Sequence, residues 1–123
     1  MKKKRLHIAK YYSFIIILAL LGCNSKGYQN LNARYNGYFY ADLYLNEVYQ
    51  EFENRYEYNF DEFLKVFPEV DSSVVQGNKE KLDDAFKKSS QIIEWWEASD
   101  WVDDSYYIIG KIRYLRSQWQ YAI

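Results

Sequence analysis

Five carboxylates in the second half of the chain are the residues whose type and spacing could support acid–base chemistry. They are Glu94, Glu97, Asp100, Asp103 and Asp104. A pair of carboxylates can act as proton donor and as base or nucleophile in glycoside hydrolysis. The same cluster is typical of a solvated junction between two helices, which is the interpretation we favour. A lytic glycosidase that uses Glu94 and Asp103, or their neighbours, is the alternative.

Other catalytic and metal sites lack the side chains they need. The only histidine is His7, which lies in the N-terminal segment that is predicted below to be removed as a signal peptide, and the only cysteine is Cys23. A Ser-His-Asp or Cys-His site needs an imidazole, and zinc sites are built largely from His and Cys ligands. A Gly-rich phosphate loop is also missing from the sequence. We therefore predict no enzymatic activity, no cofactor, no metal and no small-molecule substrate.

The single cysteine follows an apolar N-terminal segment. Residues 2–5 are basic, residues 11–21 are mostly apolar, and Leu20-Leu21-Gly22 stands directly before Cys23. The length of the apolar run fits a signal peptide, which has about 7–15 such residues, and is below the roughly 18 needed to span a membrane. We expect residues 1–22 to be removed as a signal peptide, leaving Cys23 as the first residue. An ordinary signal followed by a free cysteine is the less favoured alternative.

Residues Leu20, Leu21, Gly22 and Cys23 resemble the lipobox of bacterial lipoproteins. The resemblance implies that the thiol of Cys23 carries a lipid and that the new amino terminus is usually acylated as well. Several acyl chains hold a protein at a membrane far more firmly than one chain does. The implied partner is therefore a membrane, reached through the lipid on Cys23.

Removal of the signal would change the charge of the chain. Five of the 16 basic residues precede Cys23 and all 17 acidic residues follow it, so the formal charge would change from −1 to −6. Nucleic acids and anionic membranes repel such a chain. We expect no nucleic-acid partner, and residues 23–123 are enough for one small domain.

Apolar residues recur at three- and four-residue steps over most of the chain, which predicts an all-α fold. Residues 23–32 are expected to form a tether without fixed structure. A long amphipathic helix is predicted from about Leu31 to Arg55, with a kink or late start at Gly37. Its predicted buried stripe is Leu31, Tyr35, Tyr38, Ala41, Leu45, Val48 or Tyr49, Phe52 and Tyr56.

Turn and cap residues divide the rest of the chain. Residues 33–77 are predicted to hold the long helix and a connection that contains Pro68, which must end any helix before it. A second helix is predicted from an N-cap at Asn78 to about Ala98. A third helix follows to about Arg116, and a final helix is predicted from Gln118.

The last segment resembles a tetratricopeptide repeat, a helical hairpin of about 34 residues. The residues that carry the resemblance are Tyr106, Ile109, Gly110, Tyr114 and Ala122. Gly110 stands where the motif lets two helices approach, and Ala122 follows at the place of its small residue. Arg113 occupies the usual tyrosine position and Ser117 that of a common turn glycine, which are departures from the motif. Residues 78–123 are therefore expected to form tetratricopeptide-like helices with the last repeat incomplete, and a plain helical hairpin is the alternative.

Two longer segments strengthen the resemblance. Residues 35–39 (Tyr-Asn-Gly-Tyr-Phe) and 101–106 (Trp-Val-Asp-Asp-Ser-Tyr), in this order after the lipobox, resemble the tetratricopeptide-repeat lipoproteins of gliding motility and type IX secretion in Bacteroidetes. Members are longer and carry more repeats, so the chain is expected to be an N-terminal part or a truncated paralogue. The resemblance implies a non-enzymatic scaffold on the periplasmic face of the outer membrane. Its implied partners are proteins of the secretion and motility machine.

Aromatic side chains offer anchors for such partners. The candidates are Tyr106, Tyr107, Tyr114 and Trp119. Core packing is the alternative for these residues, and the repeat positions favour it for Tyr106, Tyr114 and Trp119. Exposed aromatics also stack on sugars, so a glycan-binding outer-membrane nutrient-uptake lipoprotein is the alternative function.

Overall fold

The computed structural model describes residues 11–14, 25–57, 60, 61, 63 and 70–122. About 80% of this part of the chain is helical and none of it is in a strand, so the predicted all-α fold is confirmed. The lipobox residues Leu20, Leu21, Gly22 and Cys23, and also Pro68, lie outside the described residues. Over the described ranges, no helix has the length and apolar content needed to cross a membrane.

The first helix runs without a break from Lys26 to Arg55. It consists of α1 (Lys26–Asn32), a wider π-helical segment (Ala33–Tyr38) and α2 (Phe39–Arg55). The side chain of Ser25 caps its start by accepting a hydrogen bond from the backbone N–H of Tyr28. The predicted end at Arg55 is confirmed. The predicted tether is wrong for residues 26–32, which are helical.

The π-helical segment determines which face of the first helix is buried. The buried residues are Gln29, Ala33, Gly37, Ala41, Leu45 and Val48, most of them four positions apart. An α-helix turns once in about 3.6 residues, so repeated four-residue steps drift around its axis. A π turn contains more residues than an α turn, so it compensates for this drift. Its i→i+5 bonding is seen where the N–H of Phe39 donates to the carbonyl of Arg34.

The predicted buried stripe is therefore right in one half of the helix and wrong in the other. Ala41, Leu45 and Val48 are buried as predicted. Leu31 and Tyr35 are exposed, because the π-helical segment turns Ala33 and Gly37 toward the core in their place.

Three further α-helices and one turn of 3₁₀-helix follow in the described residues. They are α3 (Ser72–Gly77), α4 (Lys79–Trp95), α5 (Val102–Leu115) and the 3₁₀ turn (Trp119–Tyr121). Asp71 caps α3 by accepting a hydrogen bond from the N–H of Ser73 at 2.8 Å. Asn78 is the N-cap of α4 as predicted, but its side chain makes no capping hydrogen bond, because its Nδ2 donates to Glu51 and to the carbonyl of Val74 instead. In place of the predicted final helix, the structure has the 3₁₀ turn.

Helix α4 packs against both the first helix and α5, and the three share one core. The buried members of this core are Ala41, Leu45, Val48, Val74, Leu82, Ala85, Ile108, Ile112 and Leu115. Ion pairs at the rim join α4 to its neighbours, with Lys81 2.7 Å from Glu47 and Arg116 2.6 Å from Asp83. Such exposed pairs contribute at most about 1 kcal/mol each, so apolar packing dominates the stability of the fold.

The first helix and α4 approach each other closely at Gly37. A Cβ atom placed on Gly37 would lie 2.6 Å from both Cγ1 and Cδ1 of Ile92 and 3.5 Å from the carbonyl oxygen of Lys88. Ile92 is fully buried, so its side chain has no solvent-filled space into which it can retreat. A glycine is therefore required here by packing.

The contact at Gly37 is tested by substituting alanine for Gly37 and, as a control, for a second glycine in the same helix. We expect Gly37→Ala to lower the free energy of unfolding by about 1–3 kcal/mol, because the added methyl overpacks the interface. Gly27→Ala lies in the same helix with nothing within 4 Å of the new Cβ, so it should raise the free energy of unfolding by up to about 1 kcal/mol. Denaturant titration of both variants measures the difference. Equal effects of the two substitutions would show that Gly37 is not in a tight contact.

Ser89 in α4 supplies a second packing test. Its side chain is fully buried and its Oγ has no hydrogen-bond partner among the described residues. Removal of an unpaired buried hydroxyl relieves its desolvation penalty. We expect Ser89→Ala to raise the free energy of unfolding by about 1 kcal/mol.

Ser105 is the control for Ser89, because it is equally buried but its Oγ donates to the carbonyl of Trp101 at 2.7 Å. We expect Ser105→Ala to lower the free energy of unfolding by about 1 kcal/mol. The same thermal or denaturant unfolding measurement serves both variants. A loss of stability in Ser89→Ala would contradict the packing described here.

Candidate interaction surface

The carboxylates considered for catalysis lie at the junction between α4 and α5. All five of them are exposed: Glu94, Glu97, Asp100, Asp103 and Asp104. Both oxygens of Asp100 are bound, since Oδ1 lies 2.5 Å from Nζ of Lys26 and Oδ2 accepts from Nδ2 of Asn30 at 2.8 Å. Both bonds lower the pKa of Asp100, and the bond from Lys26 has the larger effect. A carboxyl group that is held in its ionised form accepts hydrogen bonds well but is a poor proton donor.

Helix α1 holds this junction through its amide side chains. Oε1 of Gln29 accepts a hydrogen bond from the N–H of Ala98 at 3.1 Å, and Oδ1 of Asn30 accepts one from the N–H of Asp100 at 2.8 Å. The backbone donors of the turn are thereby satisfied by residues about 70 positions earlier in the sequence. These bonds explain why residues 26–32 are ordered.

An aromatic seam follows the contact between the first helix and α5. We define it as Arg34, Tyr38, Tyr49, Trp101, Tyr107 and Lys111. The ring centroids of Tyr38 and Trp101 are 4.7 Å apart. The guanidinium of Arg34 lies 5.3 Å from the centroid of the Trp101 ring. Cation–π contacts at exposed sites contribute about 0.5–1 kcal/mol each and orient the rings.

The second half of the seam is centred on Lys111. Its Nζ lies 4.5 Å from the ring centroid of Tyr107 and 5.2 Å from that of Tyr49. The ammonium therefore links α5 to α2, while the ring of Tyr107 remains mostly exposed. The seam presents flat aromatic surface held in place by cations, an arrangement suited to contact with another protein.

An open cavity of about 520 Å³ lies at the α1 end of the seam. The residues that line it are Gly27, Asn30, Leu31, Arg34, Tyr35, Asp100, Trp101 and Asp104. It combines one guanidinium, two carboxylates and an indole, so it can receive a side chain with both apolar and polar parts. In the described part of the chain, no group of three or more His, Cys, Asp or Glu side chains could hold a metal ion.

Two seam tyrosines are held in their neutral form. Burial raises the pKa of Tyr38, and the nearby carboxylates of Asp42 and Asp104 raise it further. Burial also raises the pKa of Tyr49, with smaller contributions from Tyr107 and Tyr114. Since a phenol already titrates near pH 10, both hydroxyls stay protonated at neutral pH and can donate hydrogen bonds.

Sequence reasoning did not identify the seam. Tyr38 packs against the core from a half-buried position, in line with its place in the predicted stripe, but the sequence pattern assigns no functional role to Arg34 or Lys111. A signal is present on α5, where Asp104, Tyr107 and Lys111 recur at helical steps beside the apolar face. The contact with Tyr38 and Tyr49 depends on the rotation of the first helix, which the sequence periodicity does not supply.

The repeat-motif residues lie on α5 and the turn that follows it. A Cβ atom on Gly110 would lie 3.3 Å from the carbonyl oxygen of Ala122, so the backbone at Ala122 comes close to the helix. Ser117 adopts a left-handed conformation with φ of 57°. The N–H groups of Ser117 and Gln118 donate to the carbonyls of Tyr114 and Arg113, which is the Schellman pattern that usually favours glycine.

The aromatic residues of the motif differ in burial. Tyr114 packs at the edge of the core and meets the ring of Trp119 at 5.0 Å in a T-shaped contact. Ile109 is half-buried. Tyr106 and Trp119 are 58% and 54% exposed. The core-packing interpretation is therefore wrong for Tyr106, because α5 turns Ser105, Ile108 and Ile112 toward the core instead. It is also wrong for Trp119, which lies in the 3₁₀ turn, where no residue is buried.

The Asp100 junction gives a pH-dependent prediction. Because the folded state lowers the pKa of Asp100, its bonds stabilise the fold above the usual Asp range near pH 4, and this contribution is lost as the pH falls through the lowered pKa. Carboxyl NMR titration should place the pKa of Asp100 below that range, and Lys26→Gln should raise it. Lys79→Gln, a substitution of an exposed lysine at the start of α4, should leave it unchanged. Titration of Asp100 at or above its usual pKa would contradict the junction.

No protein-family model, curated protein or solved structure matches the chain. The resemblance to tetratricopeptide-repeat lipoproteins rests on the sequence motifs described above.

Proposed function

We propose that the chain is a lipid-anchored helical scaffold on the periplasmic face of the outer membrane, which binds protein partners of type IX secretion and gliding motility. The aromatic seam is the observation that carries the docking part of this proposal. The lipobox at Cys23 carries the anchoring part. The order of motifs along the chain supports the assignment to the secretion and motility machine.

The seam has the composition of a protein-binding surface. Trp, Tyr and Arg are the side chains most often found at the energetic centres of protein interfaces. Trp101 and Arg34 are already positioned by their mutual contact, so a partner would not have to order them. Preorganisation of this kind reduces the entropy lost on binding.

The repeat proposal is supported by the C-terminal part of the described chain. Tyr106 and Ile109 lie on the side of α5 that is not packed against the core, and Gly110 admits a close backbone neighbour. A following helix would find this face open for packing, as in stacked helical repeats. Residues 78–123 would then supply the start of an array.

The anchoring part is tested by expression in a Bacteroidetes host fed an alkyne fatty acid. We expect the label on the wild-type chain and its recovery in the outer-membrane fraction. Cys23→Ser should lose the label and leave the membrane, because the lipid is its anchor. Retention of the label in Cys23→Ser would contradict the assignment of Cys23 as the lipidated residue.

The docking part is tested in the same cells with a photo-crosslinking amino acid at Tyr107. We expect a crosslink to a component of the secretion and motility machine, and its loss in a Trp101→Ala background. The control places the crosslinker at Glu80, which is exposed on α4. Crosslinks of equal strength from Glu80, or none to any machine component from Tyr107, would contradict the proposal.

A glycan-binding function is the second candidate, and the exposed rings of Trp95 and Trp119 favour it. It requires the chain to face the outside of the cell. Protease treatment of intact cells distinguishes the two, since a periplasmic scaffold is protected and a surface glycan-binding lipoprotein is digested.

A further inference from the structure

The first helix has a second apolar stripe on the side opposite to its buried one. We call it the outer stripe and define it as Leu31, Tyr35, Phe39 and Leu43. Each member lies two positions before a buried residue of the set Ala33, Gly37, Ala41 and Leu45. Two helical positions correspond to about half a turn, so the two stripes face opposite ways.

The side chains of the outer stripe are large and exposed. Leu31, Tyr35 and Phe39 are 59%, 57% and 56% exposed, and Leu43 is 40% exposed. Tyr28 and Tyr40 extend the apolar surface on either side and are also exposed. A contiguous surface of this kind marks an interaction site more often than scattered apolar residues do.

We infer that the outer stripe lies in the interface of the membrane that holds the lipid anchor. This inference rests on the proposed lipidation of Cys23. Lys26, where α1 begins, lies only three positions after Cys23, and three residue steps of extended chain span at most about 10 Å. The start of the first helix is thereby kept close to the bilayer surface.

The dimensions of the helix suit an orientation parallel to the membrane. From Leu31 to Leu43 the helix rises about 18 Å. Helix α4 packs on the opposite side at Gly37, away from the bilayer, whereas the start of α5 lies beside the stripe, where Trp101 and Asp104 line one cavity with Leu31 and Tyr35. The stripe can then enter the boundary between headgroups and acyl chains without any change in the fold.

The side chains of the stripe also suit this environment. Leucine and phenylalanine insert into the acyl region, while the rings of Tyr28, Tyr35 and Tyr40 are of the type that collects at the headgroup level. Lys88 lies 5.0 Å from the ring centroid of Tyr40 and can reach headgroups from the edge. With a formal charge of −6 on the mature chain, insertion depends on apolar burial and does not require anionic lipid.

The lipid anchor favours the bilayer over other occupants of the stripe. An anchored chain always has the membrane surface within reach of its first helix, whereas a second copy or another protein must first diffuse to it. The aromatic seam consists of other residues, but the cavity at its α1 end shares Leu31 and Tyr35 with the outer stripe. The part of the seam formed by Tyr49, Tyr107 and Lys111 shares no residue with the stripe or the cavity and remains available to a protein partner.

Spin labelling of the anchored protein in vesicles tests the inference. Cys23 is the only cysteine and its thiol would be occupied by lipid, so one introduced cysteine can be labelled selectively. We use Leu31→Cys and Phe39→Cys in the stripe and Tyr106→Cys as an exposed control on α5. The vesicles are phosphatidylethanolamine and phosphatidylcholine, with or without phosphatidylglycerol, and mass spectrometry measures the lipid on Cys23.

We expect labels at 31 and 39 to relax with dissolved oxygen and to be protected from a water-soluble nickel chelate, by at least about threefold relative to the label at 106, with either lipid mixture. Equal aqueous exposure at all three positions in a lipidated chain would overturn the inference and leave the proposed function standing. Dipolar broadening between stripe labels would identify a second copy as the occupant and would also overturn it. Absence of lipid on Cys23 would overturn both.

Discussion

The approach of Gly37 to Ile92 fixes the rotation of the first helix, and the rest of the fold depends on that rotation. A glycine backbone in contact with a buried isoleucine requires one face of the helix to carry small residues. Ala33 and Ala41 continue this face toward α4. The π-helical segment keeps the small residues aligned where an uninterrupted α-helix would have moved them apart. The large side chains two positions away must then face outward.

The same rotation places the groups that hold the fold together at its N-terminal end. With the small face toward α4, Gln29 and Asn30 meet the junction of α4 and α5, where their amides satisfy backbone donors. Tyr38 meets Trp101, and Tyr49 meets Lys111, so that the aromatic seam closes along the edge of the first helix and α5. The core, the junction and the seam therefore all follow from the rotation of the first helix. The outer stripe is the face of that helix that this rotation leaves exposed.

Periodicity predicted much of the fold but not the rotation. The all-α class, the end of the first helix at Arg55 and the burial of Ala41, Leu45 and Val48 follow from regular apolar spacing. At Leu31 and Tyr35 the prediction failed, because large aromatic and aliphatic residues resemble a core stripe while Ala33 and Gly37 contribute little hydrophobic signal. The order of residues 26–32 depends on bonds to residues about 70 positions away, which local sequence cannot reveal. The seam is not predictable from Tyr38 or Trp101 alone, because their contact joins residues that are far apart in the sequence.

The most direct test of this account is an NMR measurement of which stripe of the first helix faces α4 in the mature protein. Nuclear Overhauser effects between the Hα protons of Gly37 and the Cδ1 methyl of Ile92 are predicted, with none from the side chains of Leu31 or Tyr35 to α4. Effects from Leu31 and Tyr35 to Ile92, with Gly37 facing solvent, would contradict the rotation and with it the seam and the outer stripe.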